Sequence, residues 1–172
     1  HASPARVPRL PGLALEVEIG LTLSRPLQPG KETRASVASA VASMGLGLEL
    51  VQSRVKGGSA APFPLFLADG LANAGYVTGD FTPGWREVDP AALTCRVTLD
   101  GASLFDGACA HAAGDLLTWL VAYANAPRDA FGGIQAGEII TTGALCGVIP
   151  LPRTGRVSVA LSGFGSAEVT LA

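Results

Sequence analysis

Hydrophobic and polar positions alternate most plainly over residues 13–23. There Leu13, Leu15, Val17, Ile19, Leu21 and Leu23 occupy every second place. Successive side chains of a strand point to opposite faces, so this spacing predicts a strand with one wholly apolar face. The other face carries Glu16 and Glu18, which project the same way. Pro26 and the Pro29-Gly30 pair end the strand. Residues 32–44 are alanine-rich and helix-prone, with Ala35, Val37, Val41 and Met44 available to an inner face. Gly45 and Gly47 are expected to stop that helix, and residues 46–55 read as a second strand carrying Glu49.

Further along, residues 57–64 read as a flexible loop, a candidate lid or site rim. Short segments at 65–69 and 75–79 follow. Residues 94–99 and 102–105, joined by Asp100-Gly101, predict a hairpin. Gly114-Asp115 precedes a helix whose Leu116, Leu117, Leu120, Val121 and Ala124 form one apolar stripe, with Trp119 read as core. Strands are expected again at 138–145, 156–162 and 167–171. Many short strands with two helices predict an α+β, β-dominated class. Residues 13–172 form a single domain in this reading, after an extended segment over 1–12.

Composition narrows the function classes. A chain of 172 residues suffices for one domain with a sizeable core, and 48% hydrophobic with 15% charged residues describes a compact globule. Sparse charge points to apolar surface covered by another subunit, hence a homo-oligomer. A formal net charge of −2 and the lack of a Lys/Arg cluster argue against nucleic acid or an anionic membrane as partner. No apolar run approaches the roughly 20 residues of a membrane helix. The first eight residues lack a charged leader followed by an apolar stretch, so no signal peptide is expected. Cys95, Cys109 and Cys146 are odd in number and form no C-x-x-C, as for free thiols in a reducing, cytoplasmic compartment, with no zinc site expected. Cys146 shows no partner that would lower its pKa, so it is not expected to act as a nucleophile. His1 and His111 are too few for a histidine metal cluster, and His111 reads as a helix-flank residue with no nucleophile elbow nearby.

Against that background the Glu16/Glu18 pair stands out. Two like charges side by side need something positive between them, and a hard divalent cation suits all-oxygen ligands. Acid pairs at this spacing are also common on solvated strand faces, so the pair alone decides nothing.

Six segments, in order, resemble one family. They are Glu16-Val17-Glu18-Ile19, Glu49-Leu50-Val51-Gln52-Ser53-Arg54 and Ala68-Asp69-Gly70, then Gly114-Asp115-Leu116-Leu117-Thr118-Trp119-Leu120, Gly137-Glu138-Ile139-Ile140-Thr141-Thr142-Gly143, and Gly163-Phe164-Gly165. Together they resemble the fumarylacetoacetate hydrolase superfamily. The Glu-to-Ser-Arg strand is similar to its branch of 2-keto-4-pentenoate hydratases and 4-oxalocrotonate decarboxylases. The resemblance implies a twisted mixed β-sheet roll with two flanking helices, enclosing a divalent metal, Mg²⁺ or Mn²⁺. Glu16, Glu18 and Glu49 match its three metal-binding carboxylates.

The implied activity is a metal-dependent hydratase that adds water to a small 2-hydroxy-2,4-dienoate in aromatic catabolism. The alternatives are a 4-oxalocrotonate-type decarboxylase and a catalytically reduced homologue acting as a structural partner. Arg54 is a candidate to anchor a substrate carboxylate, or else a structural ion pair. Asp69 is a candidate general base or water-orienting group, or else a loop cap. Thr142 and Gly143 sit where the family strand passes the substrate.

The chain departs from the branch at three places. Members usually carry a lysine ahead of the E-x-E strand, whereas Lys31 and Lys56 lie elsewhere. Gly70 replaces a typical asparagine, and Gly114-Asp115-Leu116 replaces Gly-Asn-Pro or Gly-His-Pro at the helix start, where Asp115 remains a sound N-cap.

Overall fold

The computed structural model describes residues 5–126 and 133–172. The first four residues of the expected N-terminal segment, His1 among them, lie outside the described residues. Alternation over 13–23 becomes β2 (Ala14–Leu23), the centre of a four-stranded antiparallel sheet. Its neighbours are β3 (Val41–Val51) on one side and β7 (Ile139–Pro150) on the other, with β4 (Asn73–Thr82) beyond β3. A second sheet has the order β1-β9-β8-β5-β6, built from β1 (Ala5–Val7), β9 (Gly165–Leu171), β8 (Gly155–Leu161), β5 (Thr94–Leu99) and β6 (Ala102–Ala108). Its one parallel pair, β1 with β9, makes the sheet mixed. The class is α+β and β-dominated, as the sequence indicates.

One core lies between the sheets. Leu15, Val17, Ile19 and Leu21 of β2 and Leu46 and Leu48 of β3 are almost fully buried. They share a cluster with Val97 and Leu99 of β5, Val157, Val159 and Leu161 of β8, and Val169 and Leu171 of β9. Burying a large aliphatic side chain contributes about 1.5–3 kcal/mol, so this alternation does most to hold the sheets face to face. Asp100 and Gly101 adopt φ of 48° and 81°, the left-handed pair that a two-residue hairpin turn with the strands' twist requires.

Helices differ more from the sequence reading. Thr33 caps α1 (Arg34–Ala40) through a capping box with Ser36, but the helix ends at Ala40. Val41 and Met44 belong to β3, where they pair with Leu23 and Leu21 of β2. Pairing with a central strand overrides the local helical preference of this stretch. Gly45 and Gly47 therefore lie inside β3 rather than after a helix. Part of the expected loop, together with the short segment after it, forms a 3₁₀ turn and α2 (Phe63–Ala68), so the described residues hold three α-helices rather than two. The third, α3 (Thr118–Asn125), starts after Asp115, whose carboxylate accepts from the Leu117 N–H and the Thr118 hydroxyl. Its Leu120 and Ala124 are buried and Trp119 partly so, as the stripe requires.

A buried acid ties α1 and α3 to the end of β2. Glu32 accepts from Arg25 at 2.8 Å, from the Gln28 N–H at 2.7 Å and from Ser36, and its backbone exchanges two hydrogen bonds with Asn125. The Arg25 and Ser36 bonds hold its pKa down at about 2. A depressed folded-state pKa means that the stabilisation is complete above the unfolded value of 4.5 and lost as pH falls towards about 2. Acid titration followed by circular dichroism should therefore show lost stability between those two values. Glu32→Gln should remove that component; an unchanged acid limb would refute the role given to Glu32.

Candidate metal centre

Antiparallel register does the first work of assembly. Glu16 of β2 lies directly opposite Glu49 of β3, and Glu18 lies opposite Gly47. All three acids share the sheet face turned away from the core, because they alternate with buried Leu15, Val17, Leu48 and Leu50. One carboxylate oxygen from each lies within 4.8 Å of the others, the one grouping of this kind among the described residues. Glu18 is 1% exposed, while Glu16 and Glu49 are half-buried.

Such crowding has an electrostatic cost. Burial, then the neighbouring Glu49 and Glu16, push the Glu18 pKa up to about 7, although the Gly143 N–H pulls the other way. Burial and Glu49 also raise the pKa of Glu16. The hydrogen-bond donors to the cluster are neutral: Asn73 Nδ2 to Glu49 at 2.7 Å, Tyr76 Oη to Glu18 at 3.4 Å, and the Gly143 N–H. They orient the carboxylates without neutralising them. A hard divalent cation taking three carboxylate oxygens would do both, so the donor set fits Mg²⁺ or Mn²⁺ chemistry.

Tyr76 and Asn73 escaped the sequence reading. Both lie on β4, and Tyr76 faces Glu49 in register. Its ring crosses β3 above Gly47, where a Cβ would come within 1.8 Å of the hydroxyl. Two glycines inside a strand were the available signal, since such glycines mark a close approach. Burial, then the charge of Glu18, raise the Tyr76 pKa, so the phenol stays protonated.

Asp69 and Arg54 come together, but with each other. Arg54 Nε reaches Asp69 Oδ1 at 2.8 Å, and Ser53 Oγ reaches Oδ2 at 2.8 Å. Burial raises the Asp69 pKa, but its bonds from Ser53 and Arg54 outweigh that and leave it lowered. Arg54 Nη1 also donates to the Asn73 carbonyl at 2.8 Å, and Asn73 in turn holds Glu49. Between Asp69 and Asn73 the chain passes through Gly70, Leu71 and Ala72, all at positive φ (67°, 56° and 68°). Two non-glycine residues in that region store backbone strain, and the Asp69–Arg54 clasp spans the strained turn. Asparagine and glycine both tolerate this conformation, which makes the Gly70 departure conformationally mild.

On the β7 side, Thr142 Oγ1 donates to the buried Ile19 carbonyl at 2.7 Å. Gly143, at φ 104°, turns its N–H to Glu18. Register slips on this strand: Glu18 faces Ala144 whereas Glu16 faces Val148. Cys146 lies within that bulge, and its thiol is held below the usual range by hydrogen bonds from Cys95 and the Val17 N–H. This corrects the expectation of no such partner; all three thiols remain free. Lys31 and Lys56 are exposed. A cavity of about 380 Å³, lined by Ile19, Met44, Trp85 and Phe164 together with the charged Arg34, Arg86 and Asp115, opens on the opposite side of β2 from the acids and is not part of this site.

Comparison with known proteins follows the same outline. The family model described as fumarylacetoacetate (FAA) hydrolase C-terminal matches residues 1–172. A protein named 2-keto-4-pentenoate hydratase from Burkholderia vietnamiensis (strain G4 / LMG 22486) is 29% identical over 156 residues, 91% of this chain and 59% of its own length. One of the same name from Paraburkholderia phymatum is 28% identical over the same shares. The chain thus spans about three fifths of the length of these relatives. Among solved structures, 4-oxalocrotonate decarboxylase from Pseudomonas putida G7, complexed with magnesium and adipate, superposes with a TM-score of 0.82 at 23% identity. It covers 98% of this chain and 65% of that one. A 2-hydroxyhepta-2,4-diene-1,7-dioate isomerase from Mycobacterium marinum gives 0.65 at 20% identity, covering 98% and 62%. At these identities the structural likeness speaks for the fold. No described helix is long and apolar enough to cross a membrane.

A raised folded-state pKa works in the opposite sense to that of Glu32. Stability from Glu18 is complete below its ordinary 4.5 and is lost as pH rises through about 7. Melting temperature of the metal-free protein should accordingly fall across that window. Added Mg²⁺ should restore it by mass action, and Glu18→Gln should flatten the profile and abolish the response. A profile that is flat in the parent protein and indifferent to Mg²⁺ would contradict the site.

Proposed function

The chain belongs to the fumarylacetoacetate hydrolase family, and we propose that its domain is the metal-holding part of a hydratase that adds water to a small 2-hydroxy-2,4-dienoate. The observation that carries this reading is the convergence of Glu16, Glu18 and Glu49 on one sheet face, with neutral donors to Glu18 and Glu49. Relatives named as hydratases support the reaction type.

These three acids would hold Mg²⁺ or Mn²⁺, which when bound supplies Lewis-acid polarisation at the 2-oxo acid end of the substrate and positive charge where negative charge develops. The rest is work for the protein. Asn73 fixes the Glu49 carboxylate, and Tyr76 and the Gly143 N–H fix that of Glu18, so little reorganisation remains there for the reaction. Arg54 and Asp69, paired with each other, act through Asn73 as positioning residues. Thr142 pins β7 to β2 beside Glu18, and with Gly143 it lines the β7 side of the substrate position. The Tyr76 phenol, kept protonated, borders the position where protons move.

A cytoplasmic homo-oligomer fits this role. Phe63, Leu65, Leu67 and Leu71 leave a cluster of exposed apolar side chains around α2 that another subunit would cover.

Mixing the protein with 2-hydroxypenta-2,4-dienoate and Mg²⁺ or Mn²⁺ should give a decay of dienol ultraviolet absorbance that EDTA abolishes. Glu49→Gln should slow it by about a hundredfold or more. Cation bound without decay of the dienol would overturn the hydratase reading, and CO₂ release from 4-oxalocrotonate in that sample would assign the decarboxylase instead.

A further inference from the structure

Three glycines, Gly20 on β2 and Gly45 and Gly47 on β3, lie on the same sheet face as the three glutamates. They leave the backbone bare, and three side chains rest on it. A Cβ at Gly20 would meet Phe81 Cζ at 2.9 Å, Tyr76 Oη at 3.3 Å and Ile139 Cγ2 at 3.5 Å. One at Gly45 would meet Phe81 Cδ2 at 2.6 Å. Phe81 from β4 and Ile139 from β7 therefore reach towards each other across β2 and β3, one strand position beyond Glu18. Tyr76 stands between them and the carboxylates, touching Glu18 with its hydroxyl.

We propose that Phe81, Ile139 and the ring of Tyr76 form the subsite for the distal end of the substrate, selecting a 2-oxo or 2-hydroxy acid with a short uncharged tail over a dicarboxylate. The inference rests on the hydratase reading and deepens it. The subsite is apolar: none of the three side chains carries a charge, and Ile139 leaves 48% of its surface uncovered. The next position along the face, Thr22 with Ser43, is a neutral hydroxyl pair bonded at 2.7 Å. Arg54 is joined to the cluster through Asn73, but its guanidinium is engaged by Asp69. A second carboxylate placed on this wall would meet the uncharged side chains of Phe81, Ile139, Tyr76, Thr22 and Ser43, a costly arrangement once it is desolvated. A short alkyl or alkenyl tail would instead cover the exposed part of Ile139 and the ring edge of Phe81.

Calorimetric titration of the Mg²⁺-loaded protein separates this proposal from the reading beneath it. Oxalate presents the chelating end without a tail; 2-oxopentanoate adds an uncharged tail, and 2-oxoadipate a charged one. The parent protein should bind all three in a Mg²⁺-dependent way and favour 2-oxopentanoate over 2-oxoadipate by about tenfold or more. Phe81→Ala should weaken 2-oxopentanoate about tenfold, the worth of one or two buried methylenes, while leaving oxalate within about twofold. Ile139→Lys, at a half-exposed position, should raise 2-oxoadipate affinity by a similar factor and erase the preference. Equal binding of the two oxo acids by the parent protein would overturn the subsite, as would a Phe81→Ala loss shared equally by oxalate. Absence of Mg²⁺-dependent oxalate binding would instead overturn the metal-site reading, and the subsite with it.

Discussion

Everything at the site depends on the pairing of β2 with β3. That pairing is strong because both strands give one complete face to the core, where Leu15, Val17, Ile19 and Leu21 meet the layer formed by β5, β8 and β9. A slip of one residue would turn those side chains outward and drive the glutamates into the core. The apolar faces therefore enforce the single register in which Glu16 opposes Glu49, and hydrophobic burial supplies the force that holds three like charges together. Each carboxylate would be more stable apart; the fold tolerates their proximity, and a bound cation would remove the repulsion.

Glycine shapes the other half of the face. With bare backbone at positions 20, 45 and 47, aromatic side chains of an outer strand reach across two neighbours. Tyr76 can thus contact Glu18 although β3 lies between their strands. The clasp of Arg54 and Asp69 closes the arrangement from the far side, spanning the strained turn that delivers Asn73 to Glu49. Strain, clasp and amide form one path from an exposed arginine to the carboxylates.

Sequence legibility followed the range of the interactions. Strand β2 and the paired acids could be read directly, since a period of two with one unbroken apolar face has few alternatives. Glu49 came by family resemblance, because nothing local ties it to Glu16 across thirty-three residues of chain. The α1–β3 boundary was misplaced: Ala, Ser and Met favour a helix locally, while Val41 and Met44 are claimed by pairing with Leu23 and Leu21. Helix α2 escaped because Phe63, Leu65 and Leu67 are left exposed, so no amphipathic pattern marks it. Asn73 and Tyr76 were out of reach for a different reason. Their roles arise from the register of β4 on β3 and from missing side chains on the intervening strand, neither of which is written in their own neighbourhood.

The proposed function stands on Glu16, Glu18 and Glu49 together holding one divalent cation. Electron paramagnetic resonance of a Mn²⁺ titration reads that most directly, because free Mn²⁺ gives a sharp signal that broadens on binding. One tight site per chain is expected, from which Mg²⁺ displaces the Mn²⁺. Replacing any one of the three with glutamine should weaken it greatly, with circular dichroism unchanged. Titrations lacking a stoichiometric site, or a site that survives replacement of all three glutamates, would contradict it.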